Sequence, residues 1–321
     1  MGARRYLLRK LAHAALTIFA VLTFNFFLFR VMPGDPVALL TRSERLTPAD
    51  VAKERAALGL DRPLPQQYAV YLGETLTGNL GVSLRTGRPV TSELAGRIWP
   101  TILLVGVGTV LATVFGVLMG IRGGWTRGSR FDTTSLYGSL FFYAVPEGWL
   151  GMLILVFFAG VLGIFPAGGF ETGGLTGAAR VGDLLNHLFL PCLTLTLAYI
   201  GSYSLIMRSS MLEVMNEDFV TTARAKGIPD HVVRQHHVVP NAFLPTFTLI
   251  FLSLGFVLGG DIIIETVFSW PGLGLLTYQA INTLDFPILQ AVFLFTSVAV
   301  ILGNLVADVT YEHLDPRVRE A

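Results

Sequence analysis

Six apolar segments, separated by shorter polar stretches, dominate the pattern of this chain. Each is long enough to cross a bilayer, because a membrane-spanning helix needs about 20 predominantly apolar residues. The segments are Leu11–Arg30, Thr101–Ile121, Ser135–Ile164, Leu188–Met207, Ala242–Ile264 and Phe286–Val306. The third is too long for one straight span, and Pro146 with Gly148 predicts a kink or a division within it. The pattern therefore predicts an all-α polytopic membrane protein with six transmembrane helices.

The composition supports this class of protein. The chain has 321 residues, of which 52% are hydrophobic and 14% are charged, a balance that suits an integral membrane protein and not a soluble domain. The net charge of +1 gives no electrostatic signature of nucleic-acid binding. The single cysteine, Cys192, excludes an intrachain disulfide, and its apolar surroundings predict a buried thiol that acts as a small hydrophobe.

Lys and Arg are unevenly distributed among the short loops, and this asymmetry sets the predicted orientation. The basic residues before span one, after spans two and four and at the end of the chain are Arg4, Arg5, Arg9, Lys10, Arg122, Arg127, Arg130, Arg208, Arg224, Lys226, Arg234, Arg317 and Arg319. In contrast, residues 267–285 contain neither Lys nor Arg, and residues 165–187 contain only Arg180. Both termini are therefore predicted to be cytoplasmic. Because bulky residues rather than a cleavage site follow the first apolar segment, we interpret it as an anchored span.

The first outside loop is predicted to form a small extracytoplasmic helical subdomain over residues 31–97. Helix start and stop signals predict one short helix within 47–60 and a second at Leu64–Leu76. Turn signals follow at 78–81 and 86–89, before a helix leads into span two.

A polar island, Asp218–Pro240, lies between spans four and five, and its predicted location is the cytoplasm. We call it the polar hairpin. Its first helix is expected to be capped by Asp218, whose charge suits a helix N-terminus. That helix is expected to stop at Gly227, where positive φ is favourable, and Pro229 suits the first turn of the next helix. A compact, capped hairpin outside the bilayer is typical of a surface that binds another protein.

The sequence lacks the residue spacing that an ATP-binding, metal-binding or catalytic site would require. No G-x-x-x-x-G-K-[ST] string occurs, so a P-loop for ATP is not predicted in this chain. His231, His236 and His237 suggest a metal site, but the first two are five residues apart, and the last two point about 100° apart on a helix. We interpret these histidines as interfacial polar residues and predict no metal site. No paired catalytic constellation lies at membrane depth, so an intramembrane enzyme is not predicted.

The polar hairpin contains a spaced motif made of Thr221-Thr222-Ala223, Gly227 and His237-Val238-Val239-Pro240. This spacing resembles the EAA loop of ABC importer permeases, in which a Glu-Ala-Ala-like triplet precedes a Gly and an Ile-x-Leu-Pro-like group closes the loop. The string Thr222–Gly227 is similar to the permeases of peptide and nickel importers. Two positions depart from the pattern, since Thr221 replaces the Glu and His237 replaces the Ile. Docking is expected to be preserved, while partner specificity differs.

Further motifs extend along nearly the whole chain. They are Pro33-Gly34-Asp35-Pro36, Leu58-Gly59-Leu60-Asp61, Gly78-Asn79-Leu80-Gly81, Arg88-Pro89-Val90, Glu265-Thr266-Val267-Phe268-Ser269-Trp270-Pro271-Gly272-Leu273-Gly274 and Leu314-Asp315-Pro316-Arg317. Together they resemble the B-type permease of dipeptide, oligopeptide and nickel importers. The resemblance implies a type I ABC importer fold with a transmembrane domain at 98–311 that includes a coupling loop at 217–240. Residues 1–30 would form the N-terminal segment with span one, and 312–321 a cytoplasmic tail.

The resemblance implies a transport subunit of the bacterial or archaeal plasma (inner) membrane, without enzymatic activity. A second, C-type permease would complete the pore, and two ABC ATPase subunits would bind ATP and Mg²⁺. An extracytoplasmic solute-binding protein would deliver the substrate, and no cofactor is expected on this chain. The residues implied for the ATPase-coupling loop are Thr221, Thr222, Ala223, Arg224, Lys226, Gly227 and Pro240.

Acidic residues at membrane depth are the candidates for the substrate path, because a charge there is costly and usually faces a cavity. Glu147 follows the predicted kink, and Asp261 and Glu265 have the spacing to share one helix face. Trp270 is either a membrane-belt anchor or part of an external pore segment. We hypothesise that Glu147 or Asp261 lines the path and favours a cationic or amine-bearing substrate. The alternative is an interfacial acid in water, or a salt bridge with the partner permease.

The resemblance implies dipeptides or oligopeptides as substrates, but permeases for nickel, glutathione and oligosaccharides share the pattern. Because the solute-binding protein largely makes the selection, this sequence leaves the cargo open. A secondary transporter or channel is the competing class, and it would usually show repeats or broken midplane helices with ion ligands. The concentration of polar residues in a predicted cytoplasmic loop argues against that class.

Overall fold

The structure, a computed structural model, describes residues 3–31 and 61–314, and the regular structure in these residues is helical. The α-helices are α1 (Ala3–Val31), α2 (Leu64–Leu76), α3 (Val90–Thr101), α4 (Val107–Trp125), α5 (Arg130–Ala144), α6 (Glu147–Leu155), α7 (Gly177–Val214), α8 (Asp218–Ala225), α9 (Asp230–Val232), α10 (Val239–Val257), α11 (Ile262–Val267), α12 (Leu273–Thr283) and α13 (Phe286–Leu314). The π-helical turns are π1 (Ile102–Gly106), π2 (Val156–Val161) and π3 (Val233–Val238). The predicted helix at 47–60, the motifs at 33–36 and 58–60, and the tail from 315 lie outside the described residues.

Four helical stretches within the described residues are long and apolar enough to cross a membrane. They are Leu8–Arg30, Val90–Trp125, Gly177–Val214 and Phe286–Ala307. A further candidate is the pair formed by α5 and Glu147–Val161, whose axes meet at 98°. The break falls at Pro146, which precedes α6 in an extended conformation, so the predicted division of the third apolar segment is confirmed.

The fifth predicted span is shorter than expected. Helix α10 ends at Val257 and α11 begins at Ile262, so the prediction of one continuous helix to Ile264 is wrong. Gly260 has a φ of 76°, which ends helical geometry, and Asp261 is extended and caps α11. The count of six spans stays a prediction.

The segment before span two agrees with its sequence pattern. Helix α2 has the predicted bounds, and the two turn regions contain Gly78, Gly81 and Gly87 with positive φ. An antiparallel bridge joins Val82 to Pro89 across the second of those turns. Helix α2 packs on α1, where the hydroxyl oxygens of Tyr68 and Thr23 lie 2.7 Å apart.

Helices α4 and α7 run parallel in very close contact, through a line of glycines on α4. A Cβ added at Gly120 would lie 2.7 Å from both Met207 Cβ and Ser204 O, and one at Gly124 would lie 2.6 Å from Met211 Cβ. Gly108 and Gly116 make equivalent approaches further along the pair. Small residues that let helix backbones approach are typical of helix contacts in membranes, where lipid removes much of the hydrophobic driving force for association.

This packing predicts that Gly120→Ala destabilises the protein, although Ala favours a helix by about 1 kcal/mol over Gly. The added methyl group meets backbone atoms of α7 that cannot move independently, and overpacking costs about 1–3 kcal/mol. Thermal unfolding of the purified protein in detergent measures the effect. Gly138→Ala on α5 is the matched control, because a Cβ there meets nothing within 4 Å, so its stability should be unchanged or higher. Equal stability of the two variants would contradict this account of the α4–α7 contact.

Candidate functional site

The polar hairpin folds as a helix, a glycine turn and a second helical arm. Helix α8 ends in a turn at Gly227, whose φ is 73° and whose N–H donates to Arg224 O at 2.9 Å. The predicted glycine stop is therefore confirmed. The predicted N-cap is wrong, since Glu217 occupies the cap position in an extended conformation and Asp218 lies in the first turn. Pro229 lies one position earlier than predicted, immediately before α9.

An apolar core beneath the polar hairpin attaches it to the ends of α4 and α7. Both arms contribute to this core, which also contains parts of α7 and α10. Its buried members are Met207, Met211, Val220, Ala223, Val233, Val238 and Ala242. Ile121 and Trp125 of α4 pack against the same core. We call this end of the molecule the hairpin end, and the opposite end, which carries α2, α11 and α12, the distal end.

Most of the predicted coupling residues lie on the outer surface of the polar hairpin. The exposed residues of this set are Thr221, Thr222, Arg224, Lys226, Gly227 and Pro240. Ala223 is instead buried at 5% exposure in the apolar core, because it lies on the inner face of α8. Phe219, which the sequence analysis does not single out, is 43% exposed beside these residues. An aromatic side chain at an outer position of a polar helix is the signal that identifies it.

Trp125, at the end of α4, contacts both arms of the polar hairpin. The guanidinium carbon of Arg224 lies 5.6 Å from the centre of its ring, and that of Arg234 lies 5.9 Å away. Arg224 also approaches Asp230 across the turn, with Nε 3.6 Å from Oδ1. Sequence reasoning misses Trp125, because no local pattern connects it to arginines so distant in the chain.

An ion pair between a buried Asp132 and a partly buried Arg208 joins α5 to α7 near the hairpin end. Arg208 donates from Nε to Asp132 Oδ1 at 2.6 Å and from Nη2 to Oδ2 at 2.9 Å. The backbone N–H of Gly128 donates to the same carboxylate at 2.9 Å. This bidentate geometry satisfies both carboxylate oxygens, as a buried charge requires. Within the described residues, no group of three or more His, Cys, Asp or Glu side chains could hold a metal ion.

Glu147 and Asp261 lie near Tyr199, which belongs to the second half of α7. The Tyr199 hydroxyl donates to Glu147 Oε2 at 3.2 Å. The two carboxyl groups are close enough to interact electrostatically, and both side chains keep part of their surface exposed. Tyr199 itself is 39% exposed. The structure therefore brings together two of the four candidate path residues, with a tyrosine that sequence reasoning misses.

Glu265 and Trp270 belong to a separate, fully buried cluster at the distal end. The Thr101 hydroxyl donates to Glu265 Oε1 at 2.9 Å, and the Leu275 N–H donates to Oε2 at 3.0 Å. Trp270 Nε1 donates to Pro100 O at 2.8 Å. Thr101 Oγ1 also accepts the N–H of Leu273 at 2.7 Å. The cluster fastens α11 and α12 to the end of α3.

The surroundings of these side chains bear on two expectations. Glu265 and Trp270 both have 0% exposure, and a place for either in the substrate path stays a prediction. The expectation that Asp261 and Glu265 share a helix face is wrong, because Asp261 precedes α11 in an extended conformation. Its carboxylate accepts the N–H of Ile264 at 2.9 Å as a cap, whereas Glu265 points towards Thr101.

These features define a class of protein. Several apolar helices, a polar hairpin displayed at one end and acids within the helical bundle together describe a membrane transport component. Comparison with known proteins gives the family. The model of the "Binding-protein-dependent transport system inner membrane component" family matches residues 75–320, and that of its N-terminal region matches residues 3–104. The chain belongs to this family, the permease subunits of ABC importers, and the expectation from the sequence resemblance is confirmed.

Curated relatives match over nearly their full length. A protein of Brucella suis that carries a peptide-permease name is 39% identical over 317 residues, which cover 98% of this chain and 99% of the relative. The di/tripeptide transport system permease protein DppB of Pseudomonas aeruginosa is 36% identical, with 98% of each chain covered. The glutathione transport system permease protein GsiC of Escherichia coli O6:H1 is also 36% identical, again with 98% of each chain covered. Members of this family are transport subunits rather than enzymes, and their ATPase is a separate chain.

The distal cluster predicts that Thr101→Val destabilises the protein by about 1–3 kcal/mol, because it leaves Glu265 Oε1 and the Leu273 N–H without their partner. Thermal unfolding of the purified protein measures this loss. Thr277→Val is the matched control, since the Thr277 hydroxyl donates only within its own helix, to Leu273 O at 2.7 Å. A Thr101 variant as stable as the Thr277 variant would show that this cluster does not fasten the distal end.

Proposed function

We propose that this chain forms half of the pore of an ATP-driven importer for dipeptides or oligopeptides, and that the polar hairpin couples the pore to a separate ATPase. The observation that supports the proposal is the structure of the hairpin, whose exposed polar surface covers an apolar core shared with α4 and α7. Because the hairpin packs on this core, a rigid-body displacement of the hairpin displaces the transmembrane helices. The relatives named for peptides support the substrate class.

The proposal includes an orientation and a set of partners. Both termini and the polar hairpin face the cytoplasm, in agreement with the distribution of Lys and Arg in the short loops. The exposed outer surface of the hairpin binds one of two ATPase subunits, which carry ATP and Mg²⁺. A second, C-type permease completes the pore, and a solute-binding protein delivers the substrate at the distal end. ATP binds one conformation of the complex more tightly than the other, and this difference shifts the equilibrium between the two conformations of the pore.

Gly227→Pro tests the coupling role. Proline cannot adopt a φ of 73° and lacks the N–H that donates to Arg224 O, so the turn between the two arms cannot persist. We expect normal insertion in the membrane but about tenfold less peptide taken up per ATP hydrolysed, since strain of about 1–3 kcal/mol falls on the docking surface. Vesicles reconstituted with both permeases, the ATPase and the binding protein provide the measurement.

Gly87→Pro is the matched control for that experiment. Gly87 also has positive φ, at 67°, and its N–H donates to Ser83 O at 3.0 Å, but it lies at the distal end. Its uptake per ATP should equal that of the unaltered complex. Unaltered coupling in Gly227→Pro, or uptake by the wild-type complex that neither needs the ATPase nor responds to vanadate, would refute the proposed function.

The finer proposal concerns the substrate path. We infer that Glu147, which accepts a hydrogen bond from Tyr199, and the nearby Asp261 face the path and favour the ammonium group of a peptide. Two neighbouring carboxyl groups with exposed surface attract a cation strongly where water is scarce. The position of Glu147 at the 98° bend of the chain supports this role, because a broken helix inside a bundle commonly marks a cavity.

Neutralising these acids should reduce discrimination between cationic and neutral peptides. Glu147→Gln and Asp261→Asn are each expected to lower the ratio of cationic to neutral peptide uptake by about tenfold, the effect of roughly 1.4 kcal/mol of lost attraction. Competition between two labelled peptides in reconstituted vesicles gives the ratio directly. Glu171→Gln serves as the control, because Glu171 forms an exposed ion pair with Arg180 at 2.7 Å, away from Tyr199. Unchanged selectivity in both acid variants would favour the interfacial role.

A further inference from the structure

Two arginines from separate arms of the polar hairpin converge on one aromatic ring. Arg224 comes from the last turn of α8, and Arg234 comes from π3 in the second arm. Their guanidinium carbons lie 5.6 and 5.9 Å from the centre of the Trp125 ring, within the range of a cation–π interaction. Trp is the most favourable aromatic partner for such a contact.

We propose that Trp125 is the positioning residue through which the polar hairpin displaces the transmembrane helices. This inference rests on the proposed function, in which the hairpin receives the movement of the ATPase. We call the contacts of Arg224 and Arg234 with this ring the clamp, and the approach of Arg224 Nε to Asp230 Oδ1 at 3.6 Å joins the two arms beside it. A displacement of either arm therefore reaches the same point on α4.

The attachment continues from Trp125 into the bundle without a flexible joint. Gly124 immediately precedes Trp125, and a Cβ at Gly124 would lie 2.6 Å from Met211 Cβ of α7. Gly120, one turn earlier, makes an equally close approach to Met207 and to the backbone of α7. The end of α4 cannot move relative to α7 without separating these contacts. The clamp consequently acts on two transmembrane helices at once.

The apolar core beneath the hairpin does not replace this clamp. Apolar burial is not directional, so it holds the hairpin on the bundle while tolerating small sliding movements. A guanidinium over an indole face loses its attraction when it moves off the ring. The two kinds of contact therefore have separable effects, since the core determines whether the hairpin is attached and the clamp determines how far a movement is transmitted.

The experiment measures transport and ATP hydrolysis together, at equal amounts of assembled complex. The complete complex in proteoliposomes, with its binding protein and a radiolabelled dipeptide, gives dipeptide taken up per ATP hydrolysed. Trp125→Leu is expected to lower this ratio about threefold to tenfold, as expected from the loss of two cation–π contacts. The pair Arg224→Gln and Arg234→Gln should cause a similar loss. Adding that pair to Trp125→Leu should cause no further loss, because all three changes remove the same interaction.

Two controls separate positioning from general stability. Trp125→Phe keeps an aromatic face and should retain most of the ratio. Phe131→Leu removes another arginine–aromatic contact, that of Arg122 at 4.3 Å from the Phe131 ring, but it leaves the hairpin untouched. Its ratio should equal that of the unaltered complex. If Trp125→Leu does not assemble, Arg234→Gln alone is the test, since Arg234 is not one of the predicted coupling residues and its replacement leaves the indole in the apolar core.

The outcomes distinguish the clamp from the proposed function. A wild-type complex that shows no ATP-dependent dipeptide uptake would refute the proposed function itself. A coupled wild-type complex whose Trp125→Leu variant, or double arginine variant, keeps the normal ratio would overturn the clamp alone. Additive losses from the tryptophan and arginine changes would also overturn it, because independent effects would then explain the result.

Discussion

The parallel contact between α4 and α7 is the constraint on which the other parts of this structure depend. Gly108, Gly116, Gly120 and Gly124 each meet a residue of α7 that lies 87 positions further along the chain. The constant offset keeps the helices in register over about 24 Å, since an α-helix rises about 1.5 Å per residue. Because the glycines bring the α4 backbone against Cβ and backbone atoms of α7, few deformable side-chain atoms separate the two helices. A movement of one helix is therefore expected to carry the other.

The distal end is held by a different kind of interaction, a network of buried hydrogen bonds. Thr101 both donates to Glu265 and accepts from Leu273, and satisfied groups of this kind fix one geometry in a low-dielectric environment. Gly272 and Gly274 follow from the same packing, because a Cβ on the first would collide with Glu265 and one on the second with the backbone of Asp261. The residues of the motif Glu265–Gly274 are thus required for close packing. A sequence pattern alone does not distinguish this requirement from a role in gating.

Local backbone chemistry is the part of this structure that the sequence predicts well. Helix α2 has its predicted bounds. Pro146, with its restricted φ, and Gly227, with its positive φ, interrupt the helices where predicted. The features that sequence reasoning misses depend on tertiary contacts. Trp125 becomes significant only because two arginines distant in the sequence contact it. The predicted position of Glu265 on the same helix face as Asp261 is wrong, because the i,i+4 argument assumes a helix that runs through Asp261. Periodicity describes one element at a time, so it cannot specify such convergence.

Helix α7 connects the two candidate sites directly. Met207 and Met211 form part of the core beneath the polar hairpin, and the Tyr199 hydroxyl donates to Glu147. Between Tyr199 and Met211 the helix is uninterrupted, since its one internal proline, Pro191, lies on the distal side of Tyr199. The separation is about 18 Å along the axis. A displacement at the hairpin is therefore transmitted along an unbroken helix to Tyr199, whereas any bending of α7 at Pro191 would occur beyond it. In the proposed coupling, Tyr199 consequently moves with the hairpin, whereas Asp261 caps α11 and stays with the distal end.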